Sequence, residues 1–266
     1  LPDRATLVAV SALAYLIAVG LHEHLGHATA CALLGSRPTE LGAFYVNCDD
    51  TRLSETRIRL VALAGPLMSL VTGFACLALA RVMPARARTA YYFFWLLGSL
   101  GLMTAAGYAL FSGVSGIGDF GTGHDGAFYA IDPEWVVRVV LALTGGVAYF
   151  WVVGFCAREI APHAAGTGAL RIGCARRTVL ISYFTGASVS LLIGLLNPYG
   201  ILIVATSALA SSMGGTSGLI WMMKRLDSKD VVPGPGLYFS RSWVWIAIAL
   251  IGSLAYAAIF GPTLWL

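Results

Sequence analysis

The chain has 266 residues, 58% of them hydrophobic and only 11% charged, and adding the 31 glycines brings the apolar share to about 70%. Soluble domains carry roughly 25% charged residues and roughly 45–50% apolar ones with glycine included, so too few polar groups are present to cover a water-soluble surface of this size. The same figures exclude a disordered chain and, with a net charge of only +4, a nucleic-acid binder built on a dense basic face; an integral membrane protein surrounded by lipid remains.

A spanning helix needs about 20 mostly apolar residues. Such stretches lie at about 5–34, 59–83, 90–112, 134–156, 178–196, 201–223 and 242–260. The expected fold is therefore an all-α polytopic bundle of six to seven spans, forming one membrane domain over residues 1–266. The fifth and sixth stretches are divided by Asn197-Pro198-Tyr199-Gly200, a turn signal inside one long apolar run. Residues 36–58 differ from the other connections. Glu40 to Val46 has strand-like aromatics and Arg52 to Arg59 is mixed in charge, which fits a short interfacial hairpin or amphipathic element after the first span. The five cysteines, Cys31, Cys48, Cys76, Cys156 and Cys174, follow no CxxC spacing, so they are expected to be small buried hydrophobes and loop thiols rather than a disulfide framework.

If all seven stretches cross, the connections alternate sides. Arg4, Arg81, Arg86, Arg88, Arg158, Arg171, Arg176, Arg177, Lys224, Arg225, Lys229 and Arg241 share one side. Arg37, Arg52, Arg57, Arg59 and Arg138 lie on the other. The positive-inside rule then puts the N-terminal side in the cytoplasm.

Near the far end of the first span comes His22-Glu23-His24-Leu25-Gly26-His27, with three of the chain's five histidines. Four ionisable groups in six residues are costly within a bilayer and demand a partner, a cavity or a metal, unless the cluster merely lies at the interface. The pattern is one residue longer than HExxH, in which two histidines at i and i+4 share a helix face and the glutamate activates water. Here His22 and His27 stand about 140° apart on a regular helix. A single-turn π-bulge would absorb the extra residue and bring both imidazoles together, with Glu23 as base and Gly26 tolerating the distortion. On an undistorted helix Glu23, His24 and His27 fall within about a 100° arc and form an alternative ligand set.

From Gly113 to Gly126 six glycines occur in fourteen residues. Such a run holds a regular helix poorly and suits unwound backbone lining a cavity. It carries two candidate acidic ligands, Asp119 and Asp125. With alternating crossings the hexamer, Ala64-Gly65-Pro66 at the start of the second span and the glycine run all lie toward one membrane side.

The hexamer resembles the HExxGH zinc motif of the type-three dipeptidyl peptidases, which are soluble, so only the local chemistry transfers. The membrane context resembles the site-2 protease family of intramembrane zinc metalloproteases, whose members combine a histidine-glutamate motif on one span, an Ala-Gly-Pro on the next and a metal-binding aspartate on the one after. The match covers roughly residues 15–125, and makes residues 1–126 the expected metalloprotease core, with additional spans in 127–266. The resemblance implies a Zn2+ cofactor held by His22, His27 and an aspartate, with Glu23 catalytic. The position nearest the third span favours Asp119, whereas Asp125 has the family's Asp-Gly pairing. The Asn-Pro-rich part of the family's third motif is missing, and Asn197-Pro198 has no aspartate nearby.

The expected activity is hydrolysis of peptide bonds in a membrane-protein substrate helix, in a bacterial inner membrane. Two other readings remain: a non-catalytic subunit of a larger membrane complex on the same scaffold, and an ion or proton transporter using His22, Glu23, His27 and Asp119 as a relay. That family holds its zinc toward the cytosol, whereas the arginine distribution puts this cluster on the opposite side. The sequence leaves the orientation open.

Overall fold

A computed structural model describes residues 2–84, 86–164, 168–200, 204–225 and 236–266. Among them six helices are long and apolar enough to cross a membrane. These are α1 (Arg4–Leu33), α2 (Glu55–Val82), α3 (Arg88–Ser115), α4 (Glu134–Ile160), α5 (Gly168–Gly194) and α6 (Trp243–Phe260). Asp3 caps α1 by accepting from the Thr6 amide at 3.0 Å, which satisfies one of the donors a helix start leaves free. The all-α membrane bundle is as expected.

The predicted sixth span is corrected. Residues 204–225 are a broken segment that passes Gly194 at Ala208 and reaches Phe150 and Gly154 of α4 at Arg225: a π-helical stretch Val204–Gly214, a turn, and the short pieces Gly218–Trp221 and Met222–Arg225. Hydroxyls explain the irregularity. Ser211 donates to Ser207 O (2.6 Å), Ser212 to Ala208 O and Thr216 to Ser212 O, and such back-bonding competes with the helical ladder. Gly214 and Gly215 weaken the helix further. Residues 201–203 and Lys229 lie outside the described residues. The turn at Asn197–Gly200 forms, with the Tyr199 amide bonded to Asn197 Oδ1 at 2.8 Å and Gly200 at φ +81°.

α1 packs against α2, α3, α5 and α6. Its buried hydroxyls are paired across helices, as a hydrocarbon surrounding requires: Tyr15 with Thr216 at 2.9 Å and Ser11 with Ser182 at 2.8 Å, the latter also meeting Tyr92 at 2.6 Å. Small residues let backbones approach. A Cβ on Gly101 would stand 2.6 Å from Ser69 O, so α2 and α3 meet main chain to main chain. By contrast α6 fully buries only Ala249, and Val244, Ile248, Ile251 and Leu254 are exposed on its outer side.

Of residues 36–58, where a hairpin or a short amphipathic element was expected, Pro38 to Cys48 form a hairpin, and Glu55 onward already belongs to α2. Strand β1 (Pro38–Leu41) pairs antiparallel with β2 (Val46–Cys48), with Leu41 opposite Val46. A third strand, β3 (Leu264–Trp265), adds to the other edge of β1. The hairpin folds back over the end of α1 and brings Cys31 and Cys48 to a Cα separation of 6.0 Å, where they form a disulfide. This corrects the expectation of free thiols for these two, whereas Cys76 and Cys156 are free and buried. Replacing Cys31 and Cys48 together by serine is expected to lower the thermal midpoint in detergent, by a loss of about 2–4 kcal/mol. An unchanged midpoint would mean that the bridge contributes nothing to the fold.

Candidate metal centre

The extra residue in the hexamer is accommodated by a π-helix. Residues Leu21–Ala28 of α1 adopt the wider winding, with regular α-helix before and after. Its hydrogen bonds run from i to i+5 instead of i to i+4, so His22 and His27, at i and i+5, come to one face. Their Nε2 atoms stand 3.3 Å apart.

Helix α2 supplies what faces them. Val61, Gly65 and Ser69 are four apart and share one face. His27 Nδ1 donates to Val61 O at 2.8 Å. A carbonyl can only accept, so in the neutral ring the proton sits on Nδ1 and Nε2 keeps its lone pair. His22 Nδ1 meets Ser69 Oγ at 2.9 Å. Such outer partners fix the ring orientation that a metal-binding histidine needs. Between them Gly65 leaves room for both rings: a Cβ there would run into His27 Nε2 and lie 2.8 Å from His22 Nε2. Gly26 has its own reason to be glycine, since a Cβ on it would stand 2.7 Å from Gly65 Cα. The two helices touch backbone to backbone behind the imidazoles.

The third group comes from the glycine run. Contrary to expectation its first part stays helical, since α3 continues to Ser115 and Gly113 packs against the backbone of Ala142. Unwinding begins at Gly116 (φ +80°), whose amide caps Ser112 O at 2.7 Å, and Gly118 is also left-handed (φ +87°). These two positive φ values, which only glycine adopts without strain, turn the chain back under the bundle. The turn is tied by Thr122 N to Gly116 O (3.0 Å) and Ala127 N to Asp119 O (2.8 Å). Asp119 Oδ2 thereby lies 2.9 Å from His22 Nε2 and 3.5 Å from His27 Nε2.

Donors about 2.0–2.2 Å from a tetrahedral ion lie roughly 3.3–3.6 Å from one another. The three separations here, 2.9, 3.3 and 3.5 Å, fit that triangle with one edge slightly short. Asp119 Oδ2 is buried and faces the Nε2 atoms of both histidines. Burial opposes its charge, but the facing imidazoles of His27 and His22 outweigh this and hold the carboxyl below the usual carboxylate range.

Glu23 is buried and lines, with His27 and Asp119, a cavity of about 610 Å³ that the hairpin borders through Tyr45 and Asn47. The alternative set of Glu23, His24 and His27 is not assembled. His24 points away, with Nε2 3.1 Å from Gly42 O and its ring 4.1 Å from that of Phe260, and so pegs the hairpin turn to α1. Asp125 is exposed and sits with His124 and Asp50 at the surface, not with the two inner histidines.

Ser69, Val61 and Tyr108 were not singled out by the sequence. The four-residue spacing of the first two from Gly65 was a usable signal. Tyr108, whose ring stacks on His22 at 4.9 Å and 13°, had none, because aromatics are common in spanning helices.

The chain matches no protein-family model, no curated protein and no solved structure. Gly65→Ala is expected to push the imidazoles apart and abolish stoichiometric metal binding while helix content stays unchanged, read by elemental analysis and circular dichroism. Full metal content in this variant would mean that the rings do not depend on the Gly65 gap.

Proposed function

We propose that the protein is an intramembrane zinc metalloendopeptidase that hydrolyses peptide bonds of membrane-embedded substrates. The observation that carries the reading is the convergence of two imidazole nitrogens and one carboxylate oxygen beside a buried glutamate on the wall of a large cavity. Two histidines and one carboxylate leave a tetrahedral ion one open position, the mark of catalytic rather than structural zinc. When bound there, zinc polarises a scissile carbonyl and makes water nucleophilic near neutral pH. Glu23 would accept the proton of the attacking water at its carboxylate and return it to the leaving amine. Val61 and Ser69 hold the two rings in register, and Tyr108 covers the outer face of His22.

Access suits a substrate taken from the membrane. A second cavity of about 460 Å³, lined mainly by apolar groups including Phe111, Leu110 and Tyr149, shares Tyr108 with the first. A helical substrate would unwind to reach the centre, since its amides are otherwise shielded. A transport relay is less well supported. Among the described residues the only buried Asp, Glu, His, Lys or Arg outside this cluster is Arg171 at the opposite end, and it donates to Pro162 O.

The roles separate in mutants. Glu23→Gln is expected to keep about one zinc per chain while losing cleavage, because the amide keeps the shape but accepts no proton. His22→Ala, His27→Ala and Asp119→Ala should each lose the metal, and Asp125→Ala should keep both metal and activity. Metal analysis and cleavage of a membrane-embedded peptide read all five. If Glu23→Gln loses zinc while His22→Ala keeps it, the assignment of ligands and base is wrong.

A further inference from the structure

The centre and the disulfide lie at the same end of the bundle. Cys31 is four residues beyond His27 on the same helix, and its partner Cys48 lines the cavity that holds Glu23, His27 and Asp119. A bridge of this kind persists in oxidising compartments and is reduced in the cytosol. The distribution of basic residues gives an independent constraint. α1 crosses from Arg4 to Leu33, and the connections at the disulfide end carry Arg37, Arg52, Arg57, Arg59 and Arg138. The eleven other described Lys and Arg lie toward the other end, and Lys229 lies outside the described residues. The helix order agrees with this division: Asp3 N bonds to Phe239 O at one end, and Leu266 N bonds to Thr39 O at the other. The rule that Lys and Arg are retained on the cytoplasmic side therefore orients the bundle as the sulfur chemistry does.

We infer that the metal centre opens on the oxidising, extracytoplasmic face of the membrane, and that its substrates are membrane-protein segments lying at or entering from that face. The statement about substrates rests on the peptidase reading above; the orientation does not. The Cys31–Cys48 bridge then fixes the hairpin, and with it one wall of the cavity, to the helix that carries His22, Glu23 and His27. The cavity mouth is held in shape on the side where no reductant opens it. Polypeptide on the cytoplasmic side is separated from the centre by the stretch of α1 from Arg4 to Leu21.

Added cysteines at the two ends test this, in a Cys174→Ser background that keeps Cys31 and Cys48. His124→Cys and Asp132→Cys mark the cavity end, and Arg86→Cys and Arg158→Cys mark the other; all four native residues are exposed and none belongs to the proposed machinery. A membrane-impermeant maleimide applied to intact cells is expected to label the first pair and leave the second pair unlabelled until the membrane is permeabilised. Non-reducing mass spectrometry of the thiol-trapped parent protein should recover Cys31 and Cys48 in one crosslinked species. Label on Arg86→Cys and Arg158→Cys in intact cells, with or without label at the cavity end, overturns the inference, as does recovery of Cys31 and Cys48 as free thiols. Zinc content of the same preparations is read separately. Its loss with the labelling pattern intact would sink the peptidase reading and leave the orientation standing.

Discussion

The contact between Gly26 and Gly65 governs the geometry of the site, because it sets how far the first two helices stand apart where the histidines emerge. With any side chain at either position the backbones would separate, and the two imidazoles would lose Val61 O and Ser69 Oγ, the groups that aim them. The π-helical turn and this close approach are interdependent. The wider turn brings His22 and His27 to one face, and the missing Cβ of Gly65 leaves the space in which their Nε2 atoms meet. The hexamer is thus one residue longer than the usual zinc-protease motif without losing convergence, since winding compensates for spacing.

Placing four ionisable groups in the first span is costly in a low-dielectric surrounding, and each is answered differently. His22 and His27 each have one nitrogen bound by α2 and the other turned to Asp119. His24 is satisfied by the hairpin turn. Glu23 faces the cavity rather than lipid. Asp119 arrives on a loop that cannot be helical, and that irregular backbone is tolerated because it lines a cavity at the end of the bundle. The proposed zinc would complete this balance by joining three donors that now confront one another.

Much of this was legible in the sequence, and the reasons differ by element. The spans could be read because hydropathy over twenty residues is a strong signal, and the hairpin because its aromatics interrupt that pattern. The bulge at residues 21–28 followed from the spacing of two histidines alone. The disulfide was not legible: Cys31 and Cys48 share no motif, and their pairing depends on the hairpin folding back over α1. Nor was strand β3, two residues in an apolar tail that form a strand only because β1 offers an edge. The broken segment 204–225 read as a span because its serines and threonines count as nearly neutral in hydropathy, while their hydroxyls compete for the helical carbonyls. Asp119 and Asp125 could be ranked by distance from the third span, but the left-handed turns at Gly116 and Gly118 are what separate them in space.

The most direct measurement of the central claim is X-ray absorption at the zinc edge on the purified, unaltered protein. The account predicts about one zinc per chain in a shell of light donors only, imidazole nitrogens and carboxylate or water oxygens at about 2.0–2.2 Å. A sulfur shell at about 2.3 Å, or no bound zinc, would contradict it.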